Sequence, residues 1–173
     1  MRQLKALRTA ALLSAGGWVV LIDDDTAVNP TALLRLISKL SNKSRVGDEY
    51  GGGAGFIFGP EALRALSAPT HVKEMRFHMG EWSQVENVSA LDLCVRRAEG
   101  GEWCRLHADW LIAHCMRASG AGLIKEPGMH QVCGRSRRPC AWLRSNMVTC
   151  HYSNTRETRR IGACMSEDDD TST

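Results

Sequence analysis

Apolar residues fall along the chain in short amphipathic stretches separated by two continuous β-forming runs. Leu4, Leu7, Ala11 and Leu12 recur at helical spacing, which predicts a helix over 3–14 that Gly16-Gly17 breaks. Trp18-Val19-Val20-Leu21-Ile22 is apolar throughout, the pattern of a central parallel strand buried on both faces, and it ends in Asp23-Asp24-Asp25. Asn29 then offers a cap and Pro30 a first-turn residue for a helix over 30–40, with Leu33, Leu34, Ile37 and Leu40 as the stripe expected to be buried. A polar segment, 41–50, leads to Gly51-Gly52-Gly53-Ala54-Gly55, a short strand Phe56-Ile57-Phe58, and a helix over 60–67 opened by Gly59-Pro60. Residues 68–84 read as irregular, 86–98 and 107–118 as helices, and Leu123-Ile124 as a short strand. Beyond Cys133 the periodicity fades. The expectation is an α/β domain over 1–132, then a loosely ordered tail over 133–173 whose last residues, 166–173, are disordered.

Composition narrows the classes. With 173 residues the chain suits one domain, and 43% apolar with 24% charged residues excludes wholesale disorder. No apolar run is long enough to span a membrane. The net charge of +3 is too small to argue for nucleic acid. That charge is uneven: 133–165 is basic, 166–173 acidic, and the body nearly balanced. Seven cysteines without a C-x-x-C pair disfavour a zinc ribbon or thioredoxin-like motif. They point instead to an oxidising compartment and two or three bridges, with free buried thiols as the alternative. The odd count leaves at least one cysteine unpaired within a monomer. Two sequons, Asn42-Lys43-Ser44 and Asn87-Val88-Ser89, can accept N-glycans on a secretory route, although chance alone supplies such matches. The amino-terminal segment has basic residues before Ala10-Ala11-Leu12-Leu13, but Arg8 interrupts it and the run is short, so a helix is expected rather than a leader.

The acidic triplet is the chemically informative feature. Like charges packed together repel, and their burial is costly without compensation. A divalent cation compensates; hard oxygen ligands suit Mg²⁺ or Mn²⁺, ions that also bind substrate phosphates. Ligands of open α/β sheets sit beyond the carboxyl ends of strands. Strand alternation puts Asp23 and Asp25 on one side and Asp24 on the other. The competing explanation is a solvated acidic turn ahead of helix 30–40.

Four segments carry a family likeness. Trp18 through Val28, with Asp23-Asp24-Asp25-Thr26-Ala27-Val28 at its end and Leu33-Leu34 after it, resembles the metal-binding segment of fringe-like and core 1-type β-1,3-galactosyltransferases, except that Ala27 replaces the usual aromatic. Gly51 through Leu63 looks like the family's glycine loop, strand and following helix. Ala108-Asp109-Trp110-Leu111-Ile112-Ala113-His114-Cys115-Met116 looks like its base-bearing helix, and Pro127-Gly128-Met129-His130 sits where the family has a phenylalanine–histidine pair. The likeness covers 16–131 and not the tail.

The resemblance implies a GT-A-like mixed sheet flanked by helices and an inverting transfer of a hexose, galactose-type or N-acetylglucosamine-type, from a UDP-sugar to a glycan or glycoprotein acceptor. It implies Asp23, Asp25 and His130 as ligands of Mn²⁺ or Mg²⁺. Asp23 and Asp24 with Gly52, Gly53, Ala54 and Gly55 would border the donor. Asp109 would be the general base, with an exposed first-turn helix carboxylate as the plainer alternative. Trp82 and Trp103 would be sugar-stacking candidates, although tryptophans are more often simply buried. The family's habit of bridging around the base segment suggests Cys104 and Cys115, with the pairing left open. It implies residence in the Golgi or secretory lumen and a membrane anchor in a full-length parent. Only residues 1–17 precede Trp18, where the family has nucleotide-binding strands, so the chain is expected to be an amino-terminally truncated member. A non-catalytic remnant or partner subunit, and an unrelated metal-binding α/β protein, are the competing functions.

Overall fold

The computed structural model describes residues 2–13, 16–47, 52–71, 75–77, 80–82, 87–100, 108–118, 122–130, 139–151 and 155–166. In chain order these form α1 (Arg2–Leu13), β1 (Val19–Leu21), β2 (Ala27–Val28), α2 (Pro30–Ile37), β3 (Arg45–Val46), a 3₁₀ turn (Gly52–Ala54), β4 (Phe56–Phe58), α3 (Pro60–Ser67) and β5 (Pro69–His71). There follow β6 (Met75–Phe77), β7 (Gly80–Trp82), β8 (Asn87–Ser89), α4 (Ala90–Glu99), α5 (Ala108–Ala118), β9 (Met129–His130), α6 (Cys140–Asn146), β10 (Thr149–Cys150) and α7 (Thr155–Ser166). The fold is mixed α/β, and the chain divides into two compact units.

The first unit comprises Met1–Leu21, Ser41–Gly52 and Phe56–Lys125. Its three-stranded sheet has the order β1-β4-β3, antiparallel throughout, with Val20 opposite Ile57 and Ile57 opposite Val46. The run expected to be a buried parallel strand is therefore an edge strand, antiparallel and only partly covered. The shorter run Phe56-Ile57-Phe58 holds the centre and is wholly buried. β4 has a strand on each side, and Phe56 and Phe58 pack into a cluster with Leu4 and Leu7 of α1, Leu63 of α3, Leu91 of α4 and Ile112 of α5. Full burial of each such side chain contributes about 1.5–3 kcal/mol. Ile124 bridges Val46 in parallel, where a short strand was expected.

The expected helix over 86–98 is split. Ser89 adopts extended φ/ψ, accepts a hydrogen bond from the Asp92 amide at 3.0 Å and donates to Asp92 Oδ2 at 2.6 Å. It thus caps α4 and leaves the preceding residues free to pair as β8 with β5. Within the stretch expected to be irregular, β6 and β7 also pair, antiparallel. Cys115 of α5 bridges Cys94 of α4. That replaces the suggested link to Cys104, which lies outside the described residues; α4 and α5 pack on one core, and Cys94 is buried in it beside Cys115. At the surface, Lys5 meets Glu99 and Arg8 meets Asp92, each at 2.6 Å. The hydrogen bond and charge of Lys5 hold the Glu99 carboxyl below the usual carboxylate range, so this small, salt-screened contribution is lost as pH falls through that lowered value.

The second unit comprises Ile22–Leu40, Gly53–Gly55 and Glu126–Thr173. Its sheet has the order β2-β10-β9; β10 is antiparallel to β2 and parallel to β9. Residues 139–151 and 155–166, expected to belong to a loosely ordered tail, form α6, β10 and α7. Leu143, Met147, Cys150, Ile161 and Cys164 join Ala27 in a core of their own, and Cys140 bridges Cys164. Arginine-rich composition masks these few apolar positions in the sequence. The end of the chain, 167–173, lies outside the described residues.

Helix α2 starts where Asn29-Pro30 predicts. Asn29 Oδ1 accepts from the Ala32 amide at 3.1 Å, and Nδ2 donates to the Arg144 carbonyl at 3.4 Å. Its leucine stripe is not buried, however: no α2 residue is, and Leu34 is 67% exposed. Periodicity sets which face is apolar but not what covers it. Asn29→Ala should destabilise the protein by about 1 kcal/mol through loss of the cap. Urea unfolding reads this, and an unchanged midpoint would show that the cap adds nothing. Among the described residues no helix is long and apolar enough to cross a membrane.

Candidate metal centre

Strand β1 ends at Leu21, and the acidic triplet lies in a turn closed by the Thr26 amide donating to the Asp23 carbonyl at 3.1 Å. Asp24 is exposed, while Asp23 and Asp25 are half-buried. Both reach one imidazole. His151 Nε2 lies 3.2 Å from Asp25 Oδ1 and 3.5 Å from Asp23 Oδ2. One ligand atom from each of the three residues lies within 4.8 Å of the others. Asp23 and Asp25 therefore reach the same imidazole, through a turn and not through the alternation of a continued strand.

His151 directly follows β10 and is buried. Strand register explains why it, rather than His130, joins the carboxylates. In the parallel pair Cys150 stands opposite His130, and opposed residues share a face of a sheet. One step further on, His151 turns to the other face, its amide donating to the His130 carbonyl at 2.9 Å. His130 packs its ring 5.2 Å from that of Trp142, and its Nε2 donates to the Asn146 carbonyl at 3.3 Å. The described cluster thus contains two of the three residues expected at the metal, with His151 as the third.

The glycine loop builds the wall behind His151. A Cβ on Gly53 would clash with both Cε1 and Nδ1 of the imidazole. Only glycine permits that approach, and Gly55 takes a φ of 105°, in the left-handed region. Two threonines tie the loop down. Thr26 Oγ1 donates to the Gly53 carbonyl at 3.0 Å, and Thr149 Oγ1 donates to the Ala54 carbonyl at 2.6 Å. One threonine comes from the acidic turn and the other from the strand that delivers His151. Gly52 opens the 3₁₀ turn. Gly53→Ala should push the imidazole off the carboxylates and cost about 1–3 kcal/mol by overpacking. Thermal unfolding and the His151 Cε1 proton resonance read the change, and an unshifted resonance would show that the wall is soft.

The donor set suits a divalent cation. Metal–ligand bonds of about 2.1 Å place two donors no more than about 4.2 Å apart, so closure around an ion needs a contraction of a few tenths of an ångström. Two carboxylates favour a hard ion, and the imidazole favours Mn²⁺ over Mg²⁺, which prefers oxygen ligands and retains its waters. Three protein donors leave positions for phosphate or water.

Asp109 is the second residue of α5 and belongs to the first unit, whereas the cluster belongs to the second. Its side chain lies outside the described structure, as do Trp103 and the side chain of Trp82. His151 has a signal in the sequence. Met147-Val148-Thr149-Cys150 is a short β-forming run with the histidine at its end, inside a stretch whose arginines suggest a tail. Comparison with protein-family models, with curated proteins and with solved structures finds no match to this chain.

Proposed function

We propose that this chain carries the metal centre of an inverting glycosyltransferase that moves a hexose from a UDP-sugar to a glycan or glycoprotein acceptor. The observation behind this is the convergence on His151 of Asp23 and Asp25, which lie in the turn that follows β1. Asp23, Asp25 and His151 would hold Mn²⁺. A cation held there would supply Lewis-acid chemistry, offsetting the negative charge on a departing diphosphate. Asp24, exposed beside the cluster, would meet ribose hydroxyls, and the glycine loop 52–55 would border the donor sugar. By the family likeness alone, Asp109 would take the proton from the acceptor hydroxyl as that oxygen bonds to the anomeric carbon and the bond to UDP breaks; one displacement inverts the configuration. The mixed α/β fold is compatible with a GT-A-like arrangement. The disulfides Cys94–Cys115 and Cys140–Cys164 fit a secretory or Golgi lumen.

Mn²⁺ titration with and without UDP tests the proposal. UDP should tighten Mn²⁺ binding, and UDP alone should bind weakly, because diphosphate and carboxylates share the ion. Mn²⁺ binding indifferent to UDP would leave a metal site with no sugar-nucleotide role. Asp109→Asn should preserve Mn²⁺–UDP binding and abolish transfer.

A further inference from the structure

We propose that Asn42 carries an N-linked oligosaccharide. Two other asparagine side chains are committed to the fold: Asn29 caps α2, and Asn146 Nδ2 donates to the Trp142 carbonyl at 3.0 Å. The exposed Asn42 side chain makes no hydrogen bond among the described residues. Its backbone, by contrast, is firmly held. The Asn42 carbonyl accepts from the Glu61 and Ala62 amides at 3.0 and 3.2 Å, in the first turn of α3. The turn is closed by the Ser44 amide on the Ser41 carbonyl at 2.8 Å, and the Ser44 carbonyl accepts from the Gly59 amide at 2.9 Å. The segment is thus a rigid surface turn presenting an uncommitted amide within Asn42-Lys43-Ser44. A glycan on the exposed side-chain amide leaves those backbone hydrogen bonds in place, and a surface loop is the context an N-glycan acceptor requires.

The second sequon lies in different surroundings. Asn87 is in β8, its backbone paired opposite His71 in a ladder, rather than in a turn. The serine hydroxyls of both sequons are engaged, Ser44 Oγ with Ser41 Oγ at 3.2 Å and Ser89 Oγ with Asp92, so the asparagine positions carry the distinction. Disulfides supply an independent observation. Cys94–Cys115 and Cys140–Cys164 persist only in an oxidising compartment, and N-glycans are added in one. The inference stands whether or not the metal centre acts on a sugar nucleotide.

The test is translation of the full chain, behind a cleavable secretory leader, into endoplasmic-reticulum microsomes. Protease protection identifies the translocated chains. These should carry one peptide-N-glycosidase-sensitive mobility step, absent from Asn42→Gln and Ser44→Ala and retained in Asn87→Gln and Ser44→Thr. An additional step lost only in Asn87→Gln leaves the assignment of Asn42 intact. Protected chains with no sensitive step, or with a step that survives Asn42→Gln, overturn it.

Discussion

His151→Ala should weaken Mn²⁺ binding by about 100-fold or more, because even loss of a group that merely orients a metal ligand costs about 10–100-fold. His130→Ala should leave the affinity close to that of the unaltered chain. The contrast follows from geometry. The His151 imidazole sits 3.2 and 3.5 Å from the two carboxylates, whereas His130 is occupied by Trp142 and the Asn146 carbonyl. Removing the His130 ring takes away packing against Trp142, an effect on stability rather than on the cluster. Mn²⁺ electron paramagnetic resonance titration distinguishes the two variants, with far-ultraviolet circular dichroism confirming that each is folded. Undiminished binding by His151→Ala, or an equal loss in His130→Ala, would dissolve the proposed centre.

Loss of the Cys140–Cys164 bridge should destabilise the second unit by about 3 kcal/mol, the entropy that a loop of this size restores to the unfolded chain. The bridged positions are 24 residues apart and tie α6 to α7 around a small core of Ala27, Leu143, Met147, Cys150, Ile161 and Cys164. The bridge Cys94–Cys115, 21 residues apart, closes a similar loop within a much larger core. The two losses should therefore be similar in free energy but different in consequence. Cys140→Ser/Cys164→Ser should expose 139–166 to proteolysis and weaken Mn²⁺ binding, because β10 delivers His151. Cys94→Ser/Cys115→Ser should leave Mn²⁺ binding in place. Urea unfolding monitored with limited proteolysis reads both. Unaltered protease resistance of 139–166 in the first variant would show that the small core suffices without its bridge.

Local features were legible in the sequence because they depend on near neighbours. Asn29-Pro30 starts α2, Gly59-Pro60 precedes α3, the apolar spacing of Leu4 and Leu7 marks α1, and the aromatic run 56–58 forms a strand. Asp23 and Asp25 stood out as candidate ligands since three adjacent carboxylates need compensation wherever they lie. Tertiary structure alone decided the rest. Hydrophobic run length made 18–22 a candidate for the sheet centre, but strand order placed β4 there and β1 at the edge. Spacing did not reveal that Cys115 pairs with Cys94, or that the leucines of α2 lie outside the second unit's core. The choice of His151 over His130 rests on register. A single step along paired strands reverses the side-chain face, and that register is set by contacts between segments far apart in the chain.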